Sequence, residues 1–246
     1  MTDSAIRFGI IGHKGRMGKA IAKAIEQAGH VLQVGVDEGG NPGPLASQCD
    51  VLVDFSAPTA LKTNLDAAKV AGIPIVIGTT GLDDEHFQMI EEASQMLPLL
   101  QTGNTSLGVN LLCHIAHKVA ETLDTSWDIE ILEMHHRDKV DAPSGTARQL
   151  GTAVSEGRGI ALGENSEVGR SGPDSKRAPG AIGFASLRGG TAAGDHSVIF
   201  AGNEERIVLS HSAEDRSIFA RGAVKAAEWL IGKQPGLYSM NDVLGL

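Results

Sequence analysis

Proton-donating and positively charged side chains are concentrated in one short segment of this chain. Residues 133–146 read E-M-H-H-R-D-K-V-D-A-P-S-G-T, so two histidines, an arginine and a lysine fall within five positions. Imidazole groups donate protons near neutral pH, and fixed cations attract carboxylates. Because the chain as a whole carries a formal net charge of −9, this segment predicts a binding site for a small anionic substrate.

A Pro-Ser-Gly-Thr turn over residues 143–146 adds a second kind of anion-binding group. A helical pattern over 144–157 starts within it, and the free backbone N–H groups at a helix start bind anions. A solvated charged loop is the alternative interpretation of the segment. It explains the charges, but it does not explain a turn suited to close backbone approach.

A metal site is a second alternative for these histidines. Adjacent histidines on a strand point to opposite faces, so they do not easily share one ion. Cys113, His114 and His117 lie at helical spacing, but apolar residues interrupt them and no second ligand cluster accompanies them. We therefore predict no metal.

A glycine-rich loop, Gly12-His-Lys-Gly15-Arg-Met-Gly18, follows the first predicted strand and opens the first predicted helix. Compared with the dinucleotide-binding pattern G-x-G-x-x-G, its middle glycine is displaced. The tight turn, the close backbone approach and the helix–strand packing remain possible. A pyrophosphate would then lie over the helix N-terminus.

Two further motifs support a bound dinucleotide. Asp37 ends the second predicted strand, where an acid accepts hydrogen bonds from the adenosine ribose hydroxyls. Gly78-Thr-Thr-Gly81 ends the fourth predicted strand at the same edge of the sheet. The predicted cofactor-binding residues are Gly12, His13, Lys14, Gly15, Arg16, Met17, Gly18, Asp37, Phe55, Gly78, Thr79, Thr80, Gly103, Asn104 and Thr105.

The elements that must position these motifs alternate between strand and helix in the first hundred residues. This order is typical of a doubly wound parallel sheet of the Rossmann type, an α/β fold. The predicted strands cover 6–11, 31–36, 51–55, 73–77 and 97–101, and the predicted helices cover 16–28, 58–71 and 83–96.

After residue 103 the pattern changes to that of a second, α+β domain. Strands without crossover helices predict an antiparallel or mixed sheet. A helix over 217–231 is expected to pack back on the first domain. We predict a dinucleotide-binding domain over 1–106 together with 217–246, and a substrate-binding and oligomerisation domain over 107–216. Within the second domain we predict helices at 107–123 and 144–157, strands at 127–134, 182–187, 197–200 and 206–211, and a long loop at 159–180.

Composition restricts the partners. Thirty acidic residues against 21 basic ones disfavour nucleic acid and anionic membranes. Cys49 and Cys113 are expected to be free thiols in a reducing compartment. No apolar run approaches the roughly 18 residues of a membrane span, and no signal sequence is evident, so we expect a soluble cytoplasmic protein.

The motifs at 12–18 and 78–81, and the fifteen-residue pattern E-x-H-H-R-x-K-V-D-A-P-S-G-T-A from residue 133, resemble those of the 4-hydroxy-tetrahydrodipicolinate reductase family, also called dihydrodipicolinate reductase. Its members are nicotinamide-dependent enzymes of bacterial and plant lysine biosynthesis. The resemblance runs through the full length, including 104–110 and Ile182-Gly-Phe.

The resemblance implies roles for individual residues. His135 would be the general acid, while His136 and Lys139 would bind substrate, with Lys139 also stabilising charge in the transition state. Ser144, Gly145 and Thr146 would hold a substrate carboxylate. A homotetramer assembled through the sheet of the second domain is also implied.

Cofactor preference depends on the end of the second strand. Asp37 suits NADH, and Glu38 follows it where NADPH-preferring relatives often carry an arginine. Lys14, which only some members share, and Arg16 offset part of the repulsion of a 2′-phosphate. We therefore expect both NADH and NADPH to work, with NADH favoured several-fold. Thr105 stands where other members carry an aromatic residue.

The sequence thus predicts a reductase that converts 4-hydroxy-tetrahydrodipicolinate, through dihydrodipicolinate, to tetrahydrodipicolinate in diaminopimelate and lysine biosynthesis. Another small amino-acid dehydrogenase is one alternative, although it would not need the His-His-Arg-Asp-Lys run. A non-catalytic dinucleotide sensor is another. The 159–180 loop is expected to be mobile, with Arg170 and Arg177 as candidates to approach the site.

Overall fold

The computed structural model describes residues 5–33 and 35–246. They form two compact units. The first combines the residues up to Leu107 with Ser217–Leu246, and the second is Gly108–Arg216. In chain order the elements are β1 (Arg7–Ile11), α1 (Arg16–Gln27), β2 (Val31–Leu32), α2 (Pro42–Ala46), β3 (Val51–Asp54), a 3₁₀ turn (Pro58–Ala60), α3 (Leu61–Ala71), β4 (Ile75–Ile77), α4 (Asp84–Ser94), β5 (Pro98–Gln101), α5 (Leu107–Thr122), β6 (Asp128–His135), α6 (Gly145–Gly157), α7 (Leu162–Asn165), β7 (Ser166–Val168), β8 (Ile182–Arg188), β9 (Gly194–Ala201), β10 (Arg206–Ala213), α8 (Ser217–Leu230), β11 (Gly236–Tyr238) and α9 (Met240–Leu244).

The first unit is built on a six-stranded sheet in the order β11-β5-β4-β3-β1-β2. All of its strand pairs are parallel. Alternate side chains of a strand face opposite sides, so Val51 and Val53 enter one apolar layer with α1 and α8, while Leu52 enters the other with α2, α3 and α4. This confirms the predicted Rossmann-type sheet with helices on both faces.

Differences from the predicted elements of this unit are local. The strand predicted over 31–36 is regular only at Val31–Leu32, with an isolated bridge from Ile11 to Val36, and residue 34 lies outside the described residues. Helix α2 was not predicted because its Pro-Gly-Pro sequence is typical of a loop. Its first turn forms because Pro42 stands at the helix start and Asn41 accepts a hydrogen bond from the Gly43 N–H at 2.9 Å.

The second unit contains a mixed five-stranded sheet in the order β10-β9-β6-β8-β7. Central strand β6 pairs antiparallel with β9 and parallel with β8. Its residues alternate between buried and half-buried. Ile129 and Ile131 pack in an apolar cluster with residues of α5 and α6. The mixed α+β character of this part of the chain is confirmed.

The prediction that 159–180 is one continuous loop is wrong. Helix α7 and strand β7 lie within it, and β7 pairs in parallel with β8. Elements of three or four residues are too short for a periodic pattern to reveal. Arg170 pairs with Glu130 at 2.8 Å, and Arg177 pairs with Asp128 at 2.8 Å, so both arginines are engaged at strand β6.

The sequence also led to expectations about membrane-spanning segments and about the two cysteines. None of the described helices is long and apolar enough to cross a membrane. Cys49 is buried, Cys113 is half-buried, and both are free thiols.

Candidate active site

A cavity of about 580 Å³ opens in the first unit where β1 and β3 end. Parallel strands of an open α/β sheet bring their loops together at this edge, which is where such folds bind ligands. Four of the predicted cofactor-binding residues line it: Gly12, Gly15, Asp37 and Phe55.

The glycine loop has the geometry required for close approach. Gly12 has φ of +86°, and a Cβ there would fall 2.4 Å from the Phe55 carbonyl oxygen. At Gly18 a Cβ would fall 2.3 Å from the Gly12 carbonyl oxygen. Helix α1 follows at Arg16, and no side chain among the described residues caps its start. Its first N–H groups are therefore suited to binding a diphosphate.

Asp37 is tied directly to the glycine loop. Its Oδ1 accepts a hydrogen bond from the Lys14 backbone N–H at 2.9 Å. Its Oδ2 lies 2.6 Å from His13 Nδ1 and 3.9 Å from Lys14 Nζ. The structure thus brings together three of the predicted cofactor-binding residues, with the carboxylate in the cavity wall. Arg16 is exposed, whereas Met17 packs against the apolar layer beneath α1.

Asp54, which was not predicted, is a fully buried carboxylate at the end of β3. It accepts hydrogen bonds from the Ser56 hydroxyl at 2.6 Å, the Asn64 amide at 2.9 Å and the Thr79 hydroxyl at 3.3 Å. Burial raises the pKa of Asp54, and these hydrogen bonds oppose the rise. The carboxylate joins the loops that follow β3 and β4. Its sequence signal is an acid at the end of an otherwise apolar strand.

The remaining predicted cofactor residues occupy different environments. Gly78 lies against the Phe55 ring, because an added Cβ would fall 2.1 Å from Phe55 Cζ. Thr80 and Gly103 are exposed, and Asn104 is buried. Thr105 is buried too, and its hydroxyl donates to the Phe219 carbonyl of α8 at 2.6 Å. The Thr105 side chain therefore serves the packing of α8.

In the second unit, His135 ends strand β6 and is buried. Its Nδ1 donates to Glu133 Oε2 at 2.5 Å. The two side chains meet because positions i and i+2 of a strand share a face. The His196 ring lies edge-on to His135 at 5.0 Å. A Cβ at Gly194 would fall 2.9 Å from His135 Nε2, so glycine leaves room beside that nitrogen.

Glu133 is only 1 % exposed and is surrounded by hydrogen-bond donors. Arg188 contacts it with two nitrogens, each at 2.9 Å. The backbone N–H of Ser144 donates to Oε1 at 3.2 Å. Burial raises the pKa of Glu133, but hydrogen bonds from Arg188, Ser186 and His135 outweigh burial and hold the pKa below its usual value. The carboxylate is thus ionised at neutral pH.

The predicted anion-binding turn forms the start of α6. Ser144 is the N-cap residue, and its hydroxyl oxygen accepts from the Ala147 N–H at 3.2 Å. The same oxygen lies 3.0 Å from His196 Nε2. Gly145 is exposed at the first helical position, and Thr146 is half-buried. Burial, reinforced by the nearby His135, lowers the pKa of His196 to about 4, so His196 is neutral at pH 7.

His136 and Lys139 lie in the connection between β6 and α6. The His136 N–H donates to the Ala192 carbonyl at 2.8 Å, and the Lys139 N–H donates to the His136 carbonyl at 3.2 Å. The Lys139 ammonium pairs with Asp141 at 2.7 Å. A substrate carboxylate would therefore compete with Asp141 for this cation.

Glu133, Arg188 and His196 were not assigned roles from the sequence. A signal exists for Glu133, since it stands two residues before His135 on a predicted strand. Arg188 and His196 reach the site through pairing of β6 with β8 and β9, which the sequence does not reveal. Across residues 5–33 and 35–246, no group of three or more His, Cys, Asp or Glu side chains is placed to hold a metal.

Comparisons with known proteins match the whole chain. The family model described as dihydrodipicolinate reductase, N-terminus, covers residues 6–105, and the C-terminus model covers 108–244. A 4-hydroxy-tetrahydrodipicolinate reductase of Zymomonas mobilis is 50% identical over 251 residues, covering 99% of each chain. One from Rhodopseudomonas palustris is 49% identical over 267 residues, covering 99% of this chain and 98% of the relative.

A solved structure supports the fold. The dipicolinate-bound dihydrodipicolinate reductase from Paenisporosarcina sp. TG-14 superposes with a TM-score of 0.77 at 20% identity, covering 96% of this chain and 98% of that one. A probable dehydrogenase from Thermotoga maritima gives 0.63 at 13% identity, covering 97% and 92%.

The low pKa of His196 predicts how stability depends on pH. Its pKa is about 4 in the folded chain against 6.5 for an ordinary histidine. Between these two values the unfolded chain therefore binds more protons than the folded chain. The contribution of His196 to the free energy of unfolding is constant above pH 6.5 and falls as the pH drops towards 4. Thermal unfolding from about pH 7 to pH 4.5 should show a smaller decline in Tm for His196→Asn than for wild type.

His114→Asn, at a half-buried position of α5, is the matched control and should follow the wild-type curve. If the Tm of His196→Asn and that of wild type declined in parallel with falling pH, the result would contradict the low pKa of His196.

Proposed function

The chain belongs to the dihydrodipicolinate reductase family, and we propose that it carries out the reaction named in its relatives, the reduction of 4-hydroxy-tetrahydrodipicolinate to tetrahydrodipicolinate in diaminopimelate and lysine biosynthesis. The observation that carries the proposal is a buried imidazole, His135, held by an ionised carboxylate close to the start of α6. A dinucleotide sensor has no need of a proton donor positioned in this way.

The first unit fits a nicotinamide dinucleotide. A side chain at Gly12 or at Gly18 would collide with the neighbouring backbone, so glycine keeps this loop open to a ligand. The start of α1 offers N–H groups to a diphosphate. Asp37 in the cavity wall would accept the ribose hydroxyls. When bound, the reduced cofactor supplies the hydride.

The second unit supplies charge and a proton. Lys139 and His136, together with the hydroxyls of Ser144 and Thr146 and the backbone N–H groups of Gly145 and Thr146, would bind the two substrate carboxylates. Because Glu133 accepts the Nδ1 proton of His135, Nε2 is the nitrogen that would deliver a proton to the reduced ring.

Turnover by wild type and by His135→Gln tests this function. In the presence of 4-hydroxy-tetrahydrodipicolinate, wild type should consume reduced cofactor. The fall in the absorbance of the reduced cofactor measures the rate. Since general acid catalysis contributes about 10²–10⁴-fold, His135→Gln should lose kcat within that range and keep its fold. His114→Gln is the control. Wild-type binding of cofactor without turnover would favour the sensor, and turnover only with an amino acid would favour another dehydrogenase.

Cofactor preference follows from the charges around Asp37. Asp37 and Glu38 repel a 2′-phosphate, and Lys14 and Arg16 offset part of that repulsion. Exposed pairs are worth little, so the net effect is less than about tenfold. We expect activity with both cofactors and a several-fold preference for NADH in kcat/KM.

The double variant Asp37→Asn/Glu38→Gln should move this preference towards NADPH, and high salt should reduce the shift. Glu26→Gln, an exposed acid on α1, should leave the preference unchanged. A wild-type preference for NADPH of more than about tenfold would contradict this interpretation, since it would exceed what exposed charges supply.

We propose a homotetramer assembled through the sheet of the second unit. One face of that sheet packs against α5 and α6, while the other presents Leu187 at 49 % exposure and Val208 at 53 %. Exposed apolar faces of this kind mark interfaces. Sedimentation should give a tetramer for wild type and smaller species for Val208→Glu. Val70→Glu, on α3 in the first unit, should remain tetrameric. A monomeric wild type would contradict the proposal.

A further inference from the structure

We infer that Glu133 and Arg188 form a positioning pair that aligns the proton donor and the carboxylate-binding turn through one shared carboxylate. The inference rests on the proposed function and adds two residues to it. Neither is expected to contact substrate, because each acts through groups that do.

Arg188 contacts both oxygens of Glu133, and each oxygen also accepts from a second group. Oε2 accepts from His135 Nδ1 at 2.5 Å and from Arg188 Nη1 at 2.9 Å. Oε1 accepts from Arg188 Nη2 at 2.9 Å and from the Ser144 backbone N–H at 3.2 Å. A rotation of this carboxylate would therefore displace the imidazole and the start of α6 together.

Arg188 fixes the carboxylate and reaches the turn itself. Its guanidinium makes a bidentate contact with Glu133, which sets the plane of the carboxylate as well as its charge. It also donates to the carbonyl oxygens of Asp141 at 2.6 Å and of Leu187 at 2.7 Å. The side chain thus links β8 to both β6 and the connection that leads into α6.

An ionised Glu133 has a specific consequence for proton transfer. A carboxylate only accepts hydrogen bonds, so it keeps a proton on Nδ1 of His135 and leaves Nε2 to exchange protons with a ligand. It also stabilises the imidazolium form by its charge. The same division of roles between a buried acid and a histidine operates in serine protease triads, where the acid sets the tautomer and orientation.

Other titratable groups lie near this site, including the Lys139–Asp141 pair in the connection to α6 and Asp195, which acts on His196. His196 on β9 lies edge-on to His135, and His211 on β10 is the cross-strand neighbour of His196. His196 is neutral at pH 7 because burial lowers its pKa to about 4. Glu133, itself held by Arg188, is therefore the charged group whose hydrogen bond to the imidazole the structure describes.

Glu133→Gln is the decisive variant because it keeps the size of the side chain and removes its charge. We expect kcat to fall by about 10²-fold or more, as expected when a general acid is no longer held in its productive form. The alkaline limb of the pH profile should move to lower pH, because the imidazolium loses its carboxylate. The Kd for reduced cofactor should stay within about twofold of wild type, since Glu133 belongs to the second unit and the glycine loop to the first.

Glu130→Gln is the matched control. Glu130 lies on the same strand but belongs to the ion pairs with Arg170 and Arg177. Its replacement should leave kcat and the pH profile unchanged. A shift of the alkaline limb of equal size in both variants would overturn the inference, because loss of any β6 carboxylate would then suffice.

A double variant that carries Glu133→Gln together with His135→Gln distinguishes a positioning role of Glu133 from a general effect on the structure. If Glu133 acts through His135, adding Glu133→Gln to the His135→Gln variant should lower kcat by less than about threefold, because residues that act as a unit are not additive. KM for the substrate should still rise, because the Ser144 N–H loses the charged carboxylate that accepts from it. Additive losses in kcat would overturn the inference.

Arg188→Lys provides a second route if Glu133→Gln does not fold, as a thermal melt would show. Lysine keeps the charge but loses the bidentate geometry, so kcat should fall by about tenfold and KM should rise, in line with the cost of losing a supporting partner. Wild-type values for Arg188→Lys would overturn the inference. Absence of turnover in wild type would instead overturn the proposed function.

Discussion

The arrangement of the second unit depends on one buried carboxylate. A charge as inaccessible as Glu133 is costly unless it is paired and hydrogen-bonded. Arg188, His135 and the Ser144 N–H meet that requirement at distances of 2.5 to 3.2 Å. Each partner comes from a different part of the chain, so satisfying the carboxylate also fixes the ends of β6 and β8 and the start of α6 relative to one another.

The first unit contains a buried carboxylate that is satisfied differently. The hydrogen-bond partners of Asp54 within the described residues are hydroxyl, amide and backbone groups rather than a cation, and burial raises its pKa. Glu133 has an arginine, and its pKa is lowered. Asp54 therefore suits the task of joining the loops after β3 and β4, whereas Glu133 keeps the permanent negative charge that an imidazolium requires.

The features that could be predicted from the sequence are local in the chain. The glycine loop, the alternating strands and helices, and the His-His-Arg-Asp-Lys segment all lie within short windows, and the fold class follows from their order. Arg188 and His196 could not be found in that way, because only strand register brings them to the site: Glu133 pairs with His196, and His135 pairs with Arg188. Strand β7 and helix α7 escaped prediction for a different reason, since three or four residues carry no readable period.

The glycine loop shows how local order prepares a site before any ligand binds. Asp37 is held by the Lys14 N–H and lies 2.6 Å from His13 Nδ1, so its carboxylate does not need to be ordered by the cofactor. Groups that are already fixed lower the entropic cost of binding. In the second unit Glu133 fixes His135 in the same sense. Each unit therefore contains a carboxylate that its neighbours hold in place, and the chemistry differs because Glu133 is buried against an arginine, whereas Asp37 lies in a cavity wall.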